Sequence, residues 1–164
     1  MTVASTYFFT VLGTPVAQGS MKRTRHGGMT HSNLKLKWWR QDVGWAANAA
    51  GAVLDEASNH TPVRLEADFF FERPKSVPAS RTFPTVPPDC DKLLRAIGDA
   101  LSGVLWVDDA QLVEVTGRKF YGSPARCEIR VRFAATEGVR ECPRTSLATP
   151  SLPLPASPQE PAIR

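Results

Sequence analysis

The sequence predicts a small α/β domain in which a mixed β-sheet of about four strands carries two helices. Four segments have the alternating or β-branched pattern of strands, and two proline-free segments have apolar residues at helical spacing. They follow one another in the order strand, helix, strand, helix, strand, strand, which is typical of an α/β unit. With 164 residues, 42% of them hydrophobic, one domain can bury a core of its own.

The first half of the chain supplies one strand and one helix. Residues 5–12 are aromatic and β-branched, which predicts a strand. Residues 13–33 are rich in glycine and basic side chains and predict a long loop. Residues 34–57 lack proline and place apolar residues at helical spacing, so we expect a long amphipathic helix. Its adjacent Trp38 and Trp39 are expected in the core or in a dimer contact.

The second half supplies the other helix and three strands. Residues 63–72 alternate between apolar and charged side chains and predict a half-buried strand. After a proline-rich connector, residues 90–102 predict a helix, and residues 111–121 and 126–134 predict two strands joined by a turn at residues 122–124. From residue 140 onward, six prolines in 25 residues predict a disordered tail behind a domain of residues 1–139. Because two helices cover a sheet incompletely, an exposed apolar face and a homodimer are expected.

Composition excludes several classes of protein. No apolar stretch approaches the roughly 20 residues of a membrane helix, and no basic segment precedes the first apolar residues. The three cysteines are far apart and form no C-x-x-C pair, which argues against a disulfide scaffold or a zinc finger. We therefore expect a cytoplasmic protein with no membrane partner.

The charge of the chain is unevenly distributed. The net charge is +4, yet residues 89–115 hold six carboxylates against only Lys92 and Arg95, a local charge of −4. Such a pattern fits a basic surface that binds phosphates around an acidic group that binds a hard cation. Charge counting also permits an ordinary solvated surface.

The acidic segment has an order that suggests chemistry. Asp89 follows two prolines at the expected start of the helix, where it is predicted to cap backbone N–H groups. Asp91, Arg95 and Asp99 share one helical face, Gly103 is expected to end the helix, and Asp108 and Asp109 come soon after. If the two acidic pairs converge, their oxygens suit Mg²⁺ or Mn²⁺ and the hydrolysis of a phosphodiester. Capping, turn formation and surface pairing explain the same residues without any metal.

The segment from Asp89 to Gln111 resembles the signature of the RusA-type Holliday junction resolvases, which are crossover-junction endodeoxyribonucleases of bacteria and their phages. Its pattern is Asp-x-Asp-Lys-Leu-x-Arg, then Asp-Ala-Leu-x-Gly, then Asp-Asp-Ala-Gln. The resemblance extends over roughly residues 6–134. It implies a dimeric α/β fold and a Mg²⁺-dependent enzyme, with Mn²⁺ as a possible substitute and no nucleotide cofactor. It also implies that two symmetric nicks resolve a four-way DNA junction during recombination and repair.

The resemblance assigns roles position by position. Asp89, Asp91 and Asp109 match the metal-binding catalytic acids, and Asp108, beside the last of them, is expected to assist in binding the metal. Asp99 matches a helix acid for which a structural role is expected. Arg95 stands where a catalytic lysine is expected and keeps the charge, but it cannot donate a proton. Contacts to DNA are expected from four basic residues: Lys22, Arg23, Arg25 and Lys92.

Two alternatives stay open, and the departure at Arg95 motivates the first of them. One is a catalytically weak module that binds branched DNA. The other is a less selective metal-dependent DNase. A phage or prophage origin is an expectation from the family resemblance.

Overall fold

The computed structural model describes residues 5–19, 22–23, 29–30, 34–54 and 60–133. The predicted tail, Arg25 and Cys142 lie outside these residues. The strands are β1 (Thr6–Leu12), β2 (Lys22–Arg23), β3 (Met29–Thr30), β4 (Val63–Phe71), β5 (Leu112–Tyr121) and β6 (Arg126–Phe133). The helices are α1 (Leu34–Ala49) and α2 (Cys90–Leu101). The predicted α/β class is confirmed, with every predicted element present.

Four of the strands form one mixed sheet. Its order is β1-β6-β4-β5, and β6 pairs antiparallel with both β1 and β4. The pair β4 and β5 is parallel, so the chain must cross from one end of the sheet to the other between them. Helix α2 lies in that crossover, as parallel pairing requires. Strands β2 and β3 form a separate antiparallel pair.

The turn between β5 and β6 does not make a hairpin. These strands are joined by only four residues, but β4 lies between them in the sheet. The chain steps across the end of β4, where the Gly122 N–H donates to the Phe71 carbonyl at 2.9 Å. A Cβ at position 122 would lie 2.9 Å from the Phe70 ring, so this crossing needs a glycine.

Both helices pack on one face of the sheet and enclose the core. That face presents Leu65, Phe69, Ile129 and Val131, which are buried against apolar side chains of α1 and α2 such as Val43 and Ile97. The opposite face is charged where β4, β5 and β6 meet, because alternation directs their acids and arginines outward. The expectation of an apolar open face is therefore wrong for the centre of the sheet.

Helix α1 is shorter than predicted. It ends at Ala49 because Gly51 takes a positive φ of 81°. The Ala52 N–H then donates to the Ala47 carbonyl, and the Gly51 N–H donates to the Asn48 carbonyl. These two bonds form a Schellman motif, which satisfies the last carbonyls of the helix. The apolar pattern that predicts a helix over residues 34–57 continues past this glycine, so the predicted helix is too long.

The two tryptophans predicted together on α1 are separated by the helix. Trp39 is buried in the core, whereas 59% of Trp38 is exposed. Adjacent helical residues point about 100° apart, so only one of them can face the sheet.

Candidate active site

The start of α2 carries the first predicted acid in an unexpected arrangement. Asp89 occupies the N-cap position with φ −70° and ψ 141°, but its carboxylate caps no backbone N–H. Asp89 Oδ2 instead accepts a hydrogen bond from Lys92 Nζ at 2.6 Å. Lys92, and to a smaller extent Lys119, lower the pKa of Asp89. The predicted capping role is wrong, and the carboxylate is exposed and ionised.

Asp91 and Arg95 lie on the exposed polar face of α2, as predicted. Among the described residues, none of the ion pairs includes either of them. Gly98 follows on the same face, because positions 91, 95 and 98 fall within about 60° around a helix. The N-terminal half of this face therefore carries two exposed side chains that have no ion-pair partner among the described residues.

Asp99 is held by a second helix. The Arg40 guanidinium of α1 donates to Asp99 Oδ2 and also to the side-chain oxygen of Gln18. Both members of the Arg40–Asp99 ion pair are more than two-thirds buried. Asp99 therefore joins α1 to α2, which agrees with a structural role.

Asp108 caps the short 3-10 turn Asp109–Gln111. Its Oδ1 accepts the Ala110 N–H at 2.7 Å. In return, Gln111 Oε1 accepts the N–H groups of Val107 and Asp108. The Gln111 amide, which is buried, also donates to the Thr61 carbonyl. This reciprocal arrangement is a capping box, so Asp108 fixes the geometry of the turn that carries Asp109.

Asp109 is exposed but precisely oriented. Its Oδ1 accepts a hydrogen bond from the indole N–H of the fully buried Trp106 at 3.1 Å. The same oxygen would lie 3.9 Å from a Cβ at Gly98. The Asp109 carboxylate therefore lies beside the face of α2 that bears Asp91 and Arg95.

The two acidic pairs do not converge within one chain. Asp109 lies beside Gly98, seven residues after Asp91, and seven residues of helix span about 10 Å. Across the described ranges, no three His, Cys, Asp or Glu side chains are close enough to hold one metal ion. Because α2 connects two parallel strands, its two ends lie near opposite ends of those strands. The expected convergence is not found in a single copy.

Lys119 is a residue of this region that the sequence did not reveal. It lies on β5 opposite Phe69, and its Nζ donates to the carbonyls of Val86 and Pro88 at 2.9 Å each. Nothing in its local pattern distinguishes it from other basic strand residues. Only the parallel register of β4 and β5 places it under the start of α2.

The basic residues expected to contact DNA are described in part. Lys92 is exposed beside Asp89, and the backbone of Lys22 and Arg23 forms β2. The Gln18 N–H donates to the Lys92 carbonyl at 2.9 Å. Lys22 is four positions after Gln18, so the two Cα atoms are at most about 14 Å apart. Strand β2 therefore begins near the N-terminal half of α2.

The arginines on the open face of the sheet are largely neutralised. Arg126 pairs with Glu128, Arg132 pairs with Glu66, and Arg118 pairs with Asp68 and Glu66. Their charges are compensated locally, so this face is a weaker candidate for binding phosphates than the surroundings of α2.

No helix among the described residues is long and apolar enough to span a membrane.

Exposed carboxylates and basic side chains lie together on α2 of this small α/β domain. The family profile described as "Endodeoxyribonuclease RusA" matches residues 13–132. The chain belongs to the RusA endodeoxyribonuclease family, so it is a member of a family of endonucleases. It is also similar to the uncharacterized protein YqaN of Bacillus subtilis (strain 168), with 32% identity over 136 residues. That alignment covers 76% of this chain and 94% of the relative.

Proposed function

We propose that this protein is a Mg²⁺-dependent endonuclease that resolves four-way DNA junctions by paired symmetric nicks. The observation that carries the proposal is the common face of α2 that bears Asp91, Arg95 and the Asp109 carboxylate. Family membership supplies the reaction class, because RusA proteins are endodeoxyribonucleases. Mn²⁺ is expected to substitute for Mg²⁺, since both prefer oxygen ligands.

The separation of the acids leads us to infer a homodimer with shared sites. Two copies of α2 packed antiparallel about a two-fold axis would place the start of one helix beside the end of the other. The midpoint between Asp91 and Gly98 falls near Arg95, which is exposed. Asp109 of a second copy would then join Asp89 and Asp91. Two such sites, related by symmetry, match two opposing strands of a junction.

Donor chemistry supports a hard cation at this site. Asp91 is exposed, and Asp109 uses one oxygen to accept from Trp106. Within the described part of the chain, the hydrogen-bond partner of the Asp89 carboxylate is the exposed Lys92. Magnesium bound to these carboxylates would neutralise charge on the scissile phosphate and make water a better nucleophile. Arg95 would orient the phosphate through its planar N–H donors, but it cannot transfer a proton at neutral pH. Lys92 and the basic β2–β3 hairpin would contact the DNA backbone.

A mixing experiment tests the shared site. Asp91→Asn and Asp109→Asn proteins, each inactive alone, are co-expressed and assayed on a labelled four-way junction with Mg²⁺. A heterodimer of the two has one site with both changes and one intact site, so single nicks should return. Asp89→Asn with Asp91→Asn is the matched control, because every site of that heterodimer stays damaged. If mixing restores nothing although heterodimers form, the acids do not act across the dimer.

A binding module without cleavage is the second candidate. It is favoured by the absence, within the described part of one chain, of three carboxylates close enough to hold a metal. It predicts that the wild-type protein binds junctions with an affinity that falls with salt, yet cuts nothing in Mg²⁺ or Mn²⁺. Comparable cutting of junctions, flaps and linear duplex would instead indicate a less selective DNase.

A further inference from the structure

The proposal concerns Lys119, whose side chain reaches the segment that leads into α2. On β5, Gly117 and Lys119 both face the helices, since they pair with the buried Ala67 and Phe69 of β4. Over Gly117, Cys90 and Leu94 come so close that a Cβ there would lie within 3 Å of both side chains. This contact brings the start of α2 down onto β5, and Lys119 is the next residue on that side of the strand.

The two carbonyls that Lys119 binds belong to a segment that cannot donate many hydrogen bonds of its own. Pro87 and Pro88 have no N–H group. Lys119 Nζ lies 2.9 Å from both the Val86 and the Pro88 oxygens. The Pro88 carbonyl belongs to the peptide group that ends at the nitrogen of Asp89. Lys119 therefore fixes the backbone immediately before the first predicted metal ligand.

These two hydrogen bonds from Lys119 explain why the Asp89 carboxylate is available to a ligand. An aspartate at an N-cap ordinarily uses its side chain to accept a backbone N–H and so fixes the helix start. Asp89 makes no such bond. The start of α2 is instead held from outside by Lys119 and by the packing over Gly117. Among the residues that the structure describes, the carboxylate pairs with the exposed Lys92, which a cation can replace.

We propose that Lys119 is a positioning residue for the metal site: it holds the entry of α2 so that the Asp89 carboxylate faces the ligand instead of capping its own helix. The inference rests on the proposed metal-binding role of Asp89. It assigns Lys119 no contact with DNA or with the reacting atoms.

Three variants test this role: Lys119→Met removes both hydrogen bonds, Lys119→Arg keeps a charged donor, and Arg118→Met is the matched control. Arg118 lies on the same strand but on the opposite face, where it pairs with Asp68 and Glu66. Mn²⁺ binding is measured by electron paramagnetic resonance without DNA, and junction affinity is measured in EDTA. We expect Lys119→Met to weaken Mn²⁺ binding about 10-fold, as loss of a residue that orients a ligand does. Lys119→Arg should restore most of it, and junction affinity should not change.

The outcomes separate this inference from the proposed function. If Asp91→Asn loses Mn²⁺ binding while Lys119→Met keeps that of the wild type, the metal site stands and the positioning role is wrong. If the wild type and Asp91→Asn bind Mn²⁺ equally, the proposed site itself fails. Should Lys119→Met not fold, Lys119→Leu also removes both hydrogen bonds, with a shorter apolar side chain. Unchanged Mn²⁺ affinity in Lys119→Leu would overturn the positioning role.

Discussion

The two ends of α2 present their acids in different ways. At the N-terminal end, Asp89 and Asp91 are exposed, and the chain around them is held through its backbone by Lys119. At the C-terminal end, the acids themselves are held: Asp99 by Arg40, Asp108 by its own turn and Asp109 by Trp106. The first arrangement leaves carboxylate oxygens available, and the second fixes their direction.

This difference suggests that the two ends of α2 contribute different properties to the proposed shared site. A ligand fixed by a buried donor supplies precision, because the buried indole of Trp106 cannot move without disturbing the core. The exposed carboxylates of the other end, as proposed ligands, would adapt to the metal and the DNA. If two copies join opposite ends, each site would combine one rigid carboxylate with two adaptable ones.

Replacing the donor at the rigid end should have the largest effect. Trp106→Phe removes the N–H that orients Asp109 and leaves a small cavity in the core. We expect Mn²⁺ affinity to fall about 10-fold or more and unfolding to become easier by about 1–3 kcal/mol. Electron paramagnetic resonance and thermal denaturation measure the two effects. The matched control is Trp38→Phe, the same change at an exposed position, which should alter neither. Unchanged metal affinity in Trp106→Phe would mean that Trp106 does not orient a metal ligand.

Breaking the Arg40 contacts should give a smaller effect of another kind. Arg40→Met removes the partner of Asp99 and of Gln18, both of which are tied to α2. We expect a loss of about 1–2 kcal/mol in the free energy of unfolding, because a partly buried carboxylate loses its hydrogen-bonded cation. Asp99→Asn keeps an acceptor for Arg40 and should cost less. Urea denaturation measures both. Mn²⁺ affinity should stay that of the wild type; a loss in Asp99→Asn would make Asp99 a ligand.

Most of the fold was predictable because short stretches of the sequence determine its individual strands and helices. Alternation in residues 63–72 and the apolar spacing in residues 90–102 each specify one element without reference to the rest. The end of α1 was predicted too late because Gly51 stops the helix through two backbone bonds, while the apolar pattern runs on. The neighbours of β5 and β6 were not predictable from the turn between them, since insertion of β4 depends on the whole sheet.

The candidate site was predictable in its residues but not in its geometry. Spacing and family resemblance pointed to Asp89, Asp91 and Asp109, and these remain the proposed ligands. Their separation follows from a parallel crossover, which places the two ends of α2 near opposite ends of the strands that it connects. Lys119 could not be found from sequence, because its contact with Val86 and Pro88 joins residues more than thirty positions apart through strand register.

The smallest effect is expected from a change at Lys92, at the exposed N-terminal end of α2. Its ammonium group pairs with Asp89 on the surface, and both side chains are about half exposed. Exposed pairs of this kind contribute little to stability, so Lys92→Met should leave thermal unfolding unchanged. If Lys92 contacts a phosphate, as proposed, its loss should weaken junction binding for every sequence. The slope of log Kd against log salt should then decrease by about one.

A fluorescence anisotropy titration at several salt concentrations measures this slope, with Arg118→Met as the control from the neutralised face. An unchanged slope in Lys92→Met would mean that Lys92 serves only as the counter-charge of Asp89, and the DNA would have to approach α2 from the side of Arg95.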